Sequence, residues 1–206
     1  MNEMSMSFEI FPTTQKKPNC DEVIRCSVDL FNEFLRKENI SQKINITAIE
    51  VTANNEIYTN PTSLVLKENY HTVFNLNKEG EVYLFYHELT DLDKDFWADE
   101  IQGNNRAHSI KEKIDANLEI GYYWSVKRTM GQPAIVSLYY GYLAIAIGIL
   151  TDGIIYSDDG AWDYSILPIS GKDLKTEYLN IKNVSDTLVK DNVEKWLGEL
   201  KGEFCP

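Results

Sequence analysis

Apolar residues return along this chain with three rhythms, and each rhythm predicts an element. Between residues 5 and 11 (SMSFEIF) apolar and polar side chains alternate, the period of a half-buried strand. After Asn19 the apolar positions Ile24, Val28, Phe31 and Leu35 recur at helical spacing, with Val23, Leu30 and Phe34 beside them. Asn19, preceded by Pro18 and followed three residues on by Glu22, predicts a capped start for a helix reaching about Lys37. Strand patterns follow at 44–52 (INITAIEVT) and, beyond a turn at Asn54-Asn55, at 56–59. Residues 63–74 hold two short strand candidates around Lys67-Glu68-Asn69, then a turn at 77–80 and a strand at 81–88 (EVYLFYHE). A break at 103–105 precedes a polar helix over about 106–118. Strands at 121–130 (GYYWSVKRTM) and 153–156 flank an apolar helix, and two helices end the chain. One of these begins near Ser170; the other, with Ser185 as its cap, carries Val189, Val193, Trp196 and Leu200.

The third rhythm is no rhythm at all. Residues 131–151 carry no charge, and 133–150 approach the length of a bilayer span. Ala134, Ser137, Gly141, Ala144 and Gly148 nevertheless recur three and four apart, while Ile135, Leu138, Tyr142, Ile145 and Ile149 fill another face. Tyr139, Tyr140 and Tyr142 sit near the middle, not at an end where a membrane belt places aromatics, and an acidic segment follows. The reading is a buried helix whose smooth stripe admits a close neighbour. Strand, helix, strand describes both the first 52 residues and the central block, which is compatible with two βαβ-like units. The expected fold is one α+β domain over 1–206: a mixed or antiparallel sheet packed against helices, with two C-terminal helices.

Composition adds a sign. Of 206 residues, 20 are Lys or Arg and 32 are Asp or Glu, a net charge of −12. Such a chain repels nucleic acid and membrane phosphates and attracts a basic protein. The first residues lack the cationic start and long apolar run of a signal peptide. Cys20, Cys26 and Cys205 form neither a CxxC nor a zinc pair, so reduced thiols in a cytoplasm are expected.

The acids concentrate in two places. From Glu79 to Glu100 eight acids face the single Lys94, a local charge of −7, and Asp91, Asp93 and Asp95 alternate as in a calcium loop. Counted from Asp91, however, position 6 is Phe96 instead of Gly and position 12 is Gln102 instead of Glu, so that chemistry is excluded. Read as a loop, the segment is a negative surface bearing Phe96 and Trp97 as exposed aromatics. The second cluster, 151–164 (TDGIIYSDDGAWDY), gathers Asp158, Asp159 and Asp163 beside Trp162. It lacks the accompanying motif that would fix a metal ion.

No catalytic constellation stands out. His71, His87 and His108 are the only histidines. His108 and Ser109 are adjacent, hence splayed apart on a helix, and GxSxG, GxGxxG and GxxxxGK[ST] are absent. From 105 to 130, Arg106, Lys111, Lys113, Lys127 and Arg128 outweigh three acids by two charges. That is the one stretch suited to a phosphate, and pairing with the acidic loop is the simpler role for it.

In its GYYWSVKRTMGQPA and TDGIIYSDDGAWDY segments the chain resembles the immunity proteins encoded beside bacterial polymorphic or contact-dependent toxins. The likeness spans about 81–180 and is one of size, acidity, α+β build and aromatic-rich acidic segments; it carries over no individual residue. It implies a non-enzymatic inhibitor that occludes the basic surface of a toxin domain with acids and aromatic anchors. The expected contact residues are Asp91, Asp93, Asp95, Phe96, Trp97, Asp99 and Glu100, with Asp158, Asp159, Trp162 and Asp163 as a second element. No catalytic residue, metal, cofactor, nucleic acid or membrane enters this expectation. The rival classes are a hydrolase or nucleotide-handling enzyme using the acidic clusters, and a structural or self-associating domain.

Overall fold

The computed structural model describes residues 5–53, 56–60, 70–76 and 80–202. Strand β1 (Ser5–Phe11) leads into helix α1 (Cys20–Lys37), and β2 (Ile46–Ala53) and β3 (Glu56–Thr59) follow. Next come β4 (Tyr70–Leu76), β5 (Gly80–Glu88) and the helices α2 (Asp91–Gly103), α3 (Asn105–Ser109) and α4 (Lys111–Ile120). The strand β6 (Tyr122–Thr129), helix α5 (Ala134–Leu150) and strand β7 (Ile154–Tyr156) make the centre. The chain then forms β8 (Ile169–Ser170), α6 (Gly171–Glu177) and α7 (Thr187–Lys201).

All these strands belong to one sheet, ordered β3-β2-β4-β5-β6-β1-β7-β8, and every neighbouring pair is antiparallel. The fold is therefore α+β, with the antiparallel of the two expected sheets. Both strand–helix–strand blocks do join strands of the same direction, but never adjacent ones. β6, β5 and β4 lie between β1 and β2, and β1 lies between β6 and β7.

Alternation divides the sheet into two faces. Phe8 and Ile10 of β1, Trp124 and Val126 of β6 and Leu84 of β5 share the face covered by α5, against which α1 packs. The Asn19–Glu22 capping box predicted for α1 is present, each residue's backbone N–H donating to the other's side chain. Helix α5 is buried from Ala134 to Gly148. Its tyrosines keep hydrogen-bond partners in the core: Tyr139 meets Ser27 at 2.7 Å, and Tyr140 donates to the Ala161 carbonyl at 3.1 Å. The small stripe receives two neighbours. A methyl group at Gly141 would lie 2.1 Å from the Tyr178 ring, and one at Gly171 would lie 2.6 Å from the backbone of Gly148. No described helix is long and apolar enough to cross a membrane.

Three expectations change. The acidic segment after Glu88 is not a loop but helix α2, begun by a capping box in which Thr90 and Asp93 exchange hydrogen bonds. The polar helix over 106–118 is two helices, parted at Ile110, whose N–H turns back to Arg106 and Ala107. The cap of α7 is Asp186, not Ser185. Of the strand candidates at 63–74, β4 covers the last part, and the first lies outside the described residues, as does Cys205.

Candidate functional site

On the other face of the sheet, β1 presents Ser7, Glu9 and Phe11, β6 presents Tyr123, Ser125 and Lys127, and β5 presents Tyr83, Phe85 and His87. Rings run across this face in contact: His71 on Phe85 at 4.5 Å, His87 on Tyr123 at 4.8 Å, and Tyr123 on Phe11 at 5.0 Å. Helix α2 covers only the β1 and β7 end. Its Trp97 packs edge-on to Phe11 at 5.0 Å, and its Phe96 meets Tyr156 of β7 at 5.2 Å.

Where α2 lifts off the sheet, a cleft of about 260 Å³ remains. Phe11, Phe96, Tyr123 and Tyr156 line it together with the carboxylates of Glu9, Asp93 and Asp158. It shares Asp93 and Tyr123 with a wider opening beside His87 and Leu92, and Leu92 is 79% exposed. Among the described residues no Lys or Arg lines either space. The two acidic clusters, separate in sequence, thus meet over β1.

The electrostatics follow from this burial. Loss of water pushes the Glu9 carboxyl up to about 7; the Ser7 hydroxyl bond at 2.7 Å opposes that shift, and the charges of Asp159 and Asp158 add to it. Glu9 Oε2 is buried and accepts no hydrogen bond. The Tyr123 hydroxyl rises to about 12, through burial first and then through Asp93, Glu9 and Asp158 together. Burial lowers the His87 pKa, and its Nε2 lies 2.8 Å from Ser125 Oγ.

The expected contact residues divide into four groups. Asp93, Phe96 and Asp158 line the cleft. Asp91, Asp95 and Asp99 are exposed on α2, Asp91 paired with Lys94 at 2.8 Å. Glu100 accepts from Tyr164 and Asn104, and Asp159 accepts from the Ser7 N–H and hydroxyl at 2.7 and 2.8 Å, so both serve to tie segments together. Trp97, Trp162 and Asp163 are buried and offer no exposed contact. The correction for Trp97 follows from helix geometry: in α2 Trp97 and Ile101 turn inward, and Leu92 is the apolar side chain left outside. Asp163 is a structural hub. Burial opposes its charge, but hydrogen bonds from Ser165 and Ser185 outweigh burial and hold it at about 2.

Sequence reasoning missed Glu9, Phe11, Tyr123 and Tyr156. Glu9 had a signal, a charge on an otherwise half-apolar strand; the other three depend on strand order. The basic residues from 105 to 130 do not converge. Lys111 pairs with Asp115 and Lys113 with Asp152, while Lys127 and Arg128 point to opposite faces of the sheet. Among the described residues no group of three His, Cys, Asp or Glu is placed to hold a metal ion. Comparison with family models, characterised proteins and solved structures finds no match to this chain.

Proposed function

We propose that this chain is a non-enzymatic inhibitor that binds a basic partner protein, most simply a toxin domain of nuclease-like charge, through the cleft between α2 and β1. One observation carries the reading: acids from both clusters, together with Glu9, surround an aromatic-lined space that no Lys or Arg among the described residues lines. A lysine or arginine side chain suits such a space, since its charge meets carboxylates and its stem or guanidinium plane meets rings. Leu92 and the exposed acids Asp95 and Asp99 supply an apolar contact and a negative rim around it. Occlusion then needs no chemistry from this chain; its carboxylates stand where the partner would otherwise hold phosphates.

An enzyme is the second reading, and Glu9 is the observation that favours it. A carboxyl that titrates near neutrality in a cleft beside a second carboxylate is the setting of a general acid. The test is affinity capture from the source organism with the wild-type chain and with a double variant, Asp93→Lys with Asp158→Lys. Wild type is expected to retain a strongly basic protein at one-to-one stoichiometry and to block its activity, and the variant is expected to lose it. Equal retention by both chains overturns the proposed surface. Small-molecule turnover abolished by Glu9→Gln, with no basic protein retained, replaces inhibition with catalysis.

A further inference from the structure

Arg128 sits on the sheet face opposite the cleft and is 3% exposed. Its guanidinium lies between two rings, 4.9 Å from the centre of Tyr140 and 4.9 Å from that of Trp196. Of its five N–H donors, those on Nη1 reach the Thr129 carbonyl at 3.5 Å and those on Nη2 the Met6 sulfur at 3.2 Å. Nε is buried and has no partner, and the remaining polar neighbour is the neutral Tyr140 hydroxyl. No carboxylate lies within 4.0 Å among the described residues. A guanidinium cannot shed its proton in a protein, so this is a permanent buried charge with no carboxylate in contact among the described residues. Sulfur is a weak acceptor, and aromatic faces offset only part of the lost hydration.

Beside it is a crevice of about 20 Å³, lined among others by Met6, Trp162, Asn192, Val193 and Trp196. In a chain of net charge −12 no acid among the described residues lines this crevice, and Arg128 is the single charge among them that does. The volume admits one species of about a water's size. Asn192, whose side chain carries amide donors, lines it, and the ring of Trp196 bounds both the crevice and the guanidinium. We infer that this crevice beside Arg128 is a binding site for one monatomic anion, of halide size, which supplies the missing counter-charge. Larger anions are excluded by volume. The site is independent of the cleft over β1 and of the inhibitor reading.

The test is thermal unfolding of the full chain in sodium chloride or bromide against sodium gluconate at one ionic strength. The small anions are expected to give a saturable rise in Tm of about 2 °C or more, with none in gluconate. Arg128→Met is expected to fold, because it replaces an unpaired buried charge by an apolar chain of similar length, and to lose the response. Asn192→Ala is expected to raise the half-saturating concentration at least threefold. Equal Tm in chloride and gluconate overturns the site, as does a chloride response retained in Arg128→Met. Should Arg128→Met not fold, chloride-35 line broadening decides. Excess broadening by wild type that bromide displaces and Asn192→Ala reduces supports the site, and its absence overturns it.

Discussion

Glu9 and Asp163 are both acids removed from water, yet their surroundings drive them in opposite directions. Burial pushes Glu9 up, the Ser7 hydroxyl only partly opposes that, and two neighbouring carboxylates add to it, so its pKa stands at about 7 against an ordinary 4.5. Its folded pKa exceeds its unfolded one, so the folded state binds the extra proton between these values and loses stability as pH rises through that window. Glu9→Gln keeps the hydrogen-bonding shape and removes the charge. The wild type is expected to fall relative to Glu9→Gln by roughly 3 kcal/mol between pH 4.5 and 8. Paired denaturant titrations at the two pH values measure this, and a constant difference would contradict it. Asp163 has the reverse sign: its pKa, held at about 2, stabilises the fold above the ordinary 3.8 and loses that contribution as pH falls toward 2. It fixes the segment after β7 to the start of α7 through Ser185. Asp163→Ala, which leaves those donors unpaired, is expected to destabilise by roughly 1.5–3 kcal/mol without changing association with a basic partner. Faster dissociation from that partner would return Asp163 to the interface.

At the scale of elements, legibility tracks how local each signal is. The cap of α1 needs only Asn19 and Glu22, and the buried helix α5 needs only its own uncharged run, so both stand out in sequence within a residue or two. Helix α2 does not, because its first half is dominated by acids and its inward-turned apolar residues, Phe96, Trp97 and Ile101, are few. The overlooked signal is Thr90 with Asp93 three residues on, where acids in the first turn also oppose the positive end of the helix dipole. The order of the strands is set by long-range pairing and cannot be read from any window. The cleft walls contributed by β1, β6 and β7 were invisible for that reason, while Asp93, Phe96 and Asp158 were found. The stripe on α5 predicts a close approach, and Tyr178 is the side chain that makes it, its hydroxyl donating to the Leu138 carbonyl at 3.0 Å. Gly141→Leu must displace that ring or the helix. A loss of about 1–3 kcal/mol before any backbone movement is expected, read as a lower Tm, and an unchanged Tm would mean that α5 and Tyr178 do not pack in this way.

For the whole molecule, charge and packing assign different tasks to residues that neighbour each other on α2. The net charge of −12 sets a field that draws any basic protein toward the chain, while the cleft and its rim fix where the partner stops. Asp95 and Asp99 are exposed on α2 and line neither the cleft nor its opening, and reversing both to Lys removes local field without touching the core, the cleft or the Thr90–Asp93 cap. Association with the basic partner is expected to slow by about tenfold or more at low salt, and by less at high salt, where screening already weakens steering. Trp97 lies between those two acids in sequence but is 1% exposed, against Phe11 and Tyr156. Trp97→Ala is therefore expected to cost about 3–5 kcal/mol of folding stability, with the association rate of the remaining folded fraction unchanged. Tyr123→Ala, which removes a ring from the cleft lining, is expected to act on dissociation. pH separates the cleft from the general field. A bound cation favours ionised Glu9, so affinity is expected to rise with pH up to about 7 and then level off, whereas Glu9→Gln should show no such rise. Stopped-flow association and dissociation rates for these variants, at two salt concentrations and across this pH range, test the assignment. A wild-type affinity independent of pH, or a Glu9→Gln curve that still climbs, would place the partner's cation away from Glu9 and outside the cleft.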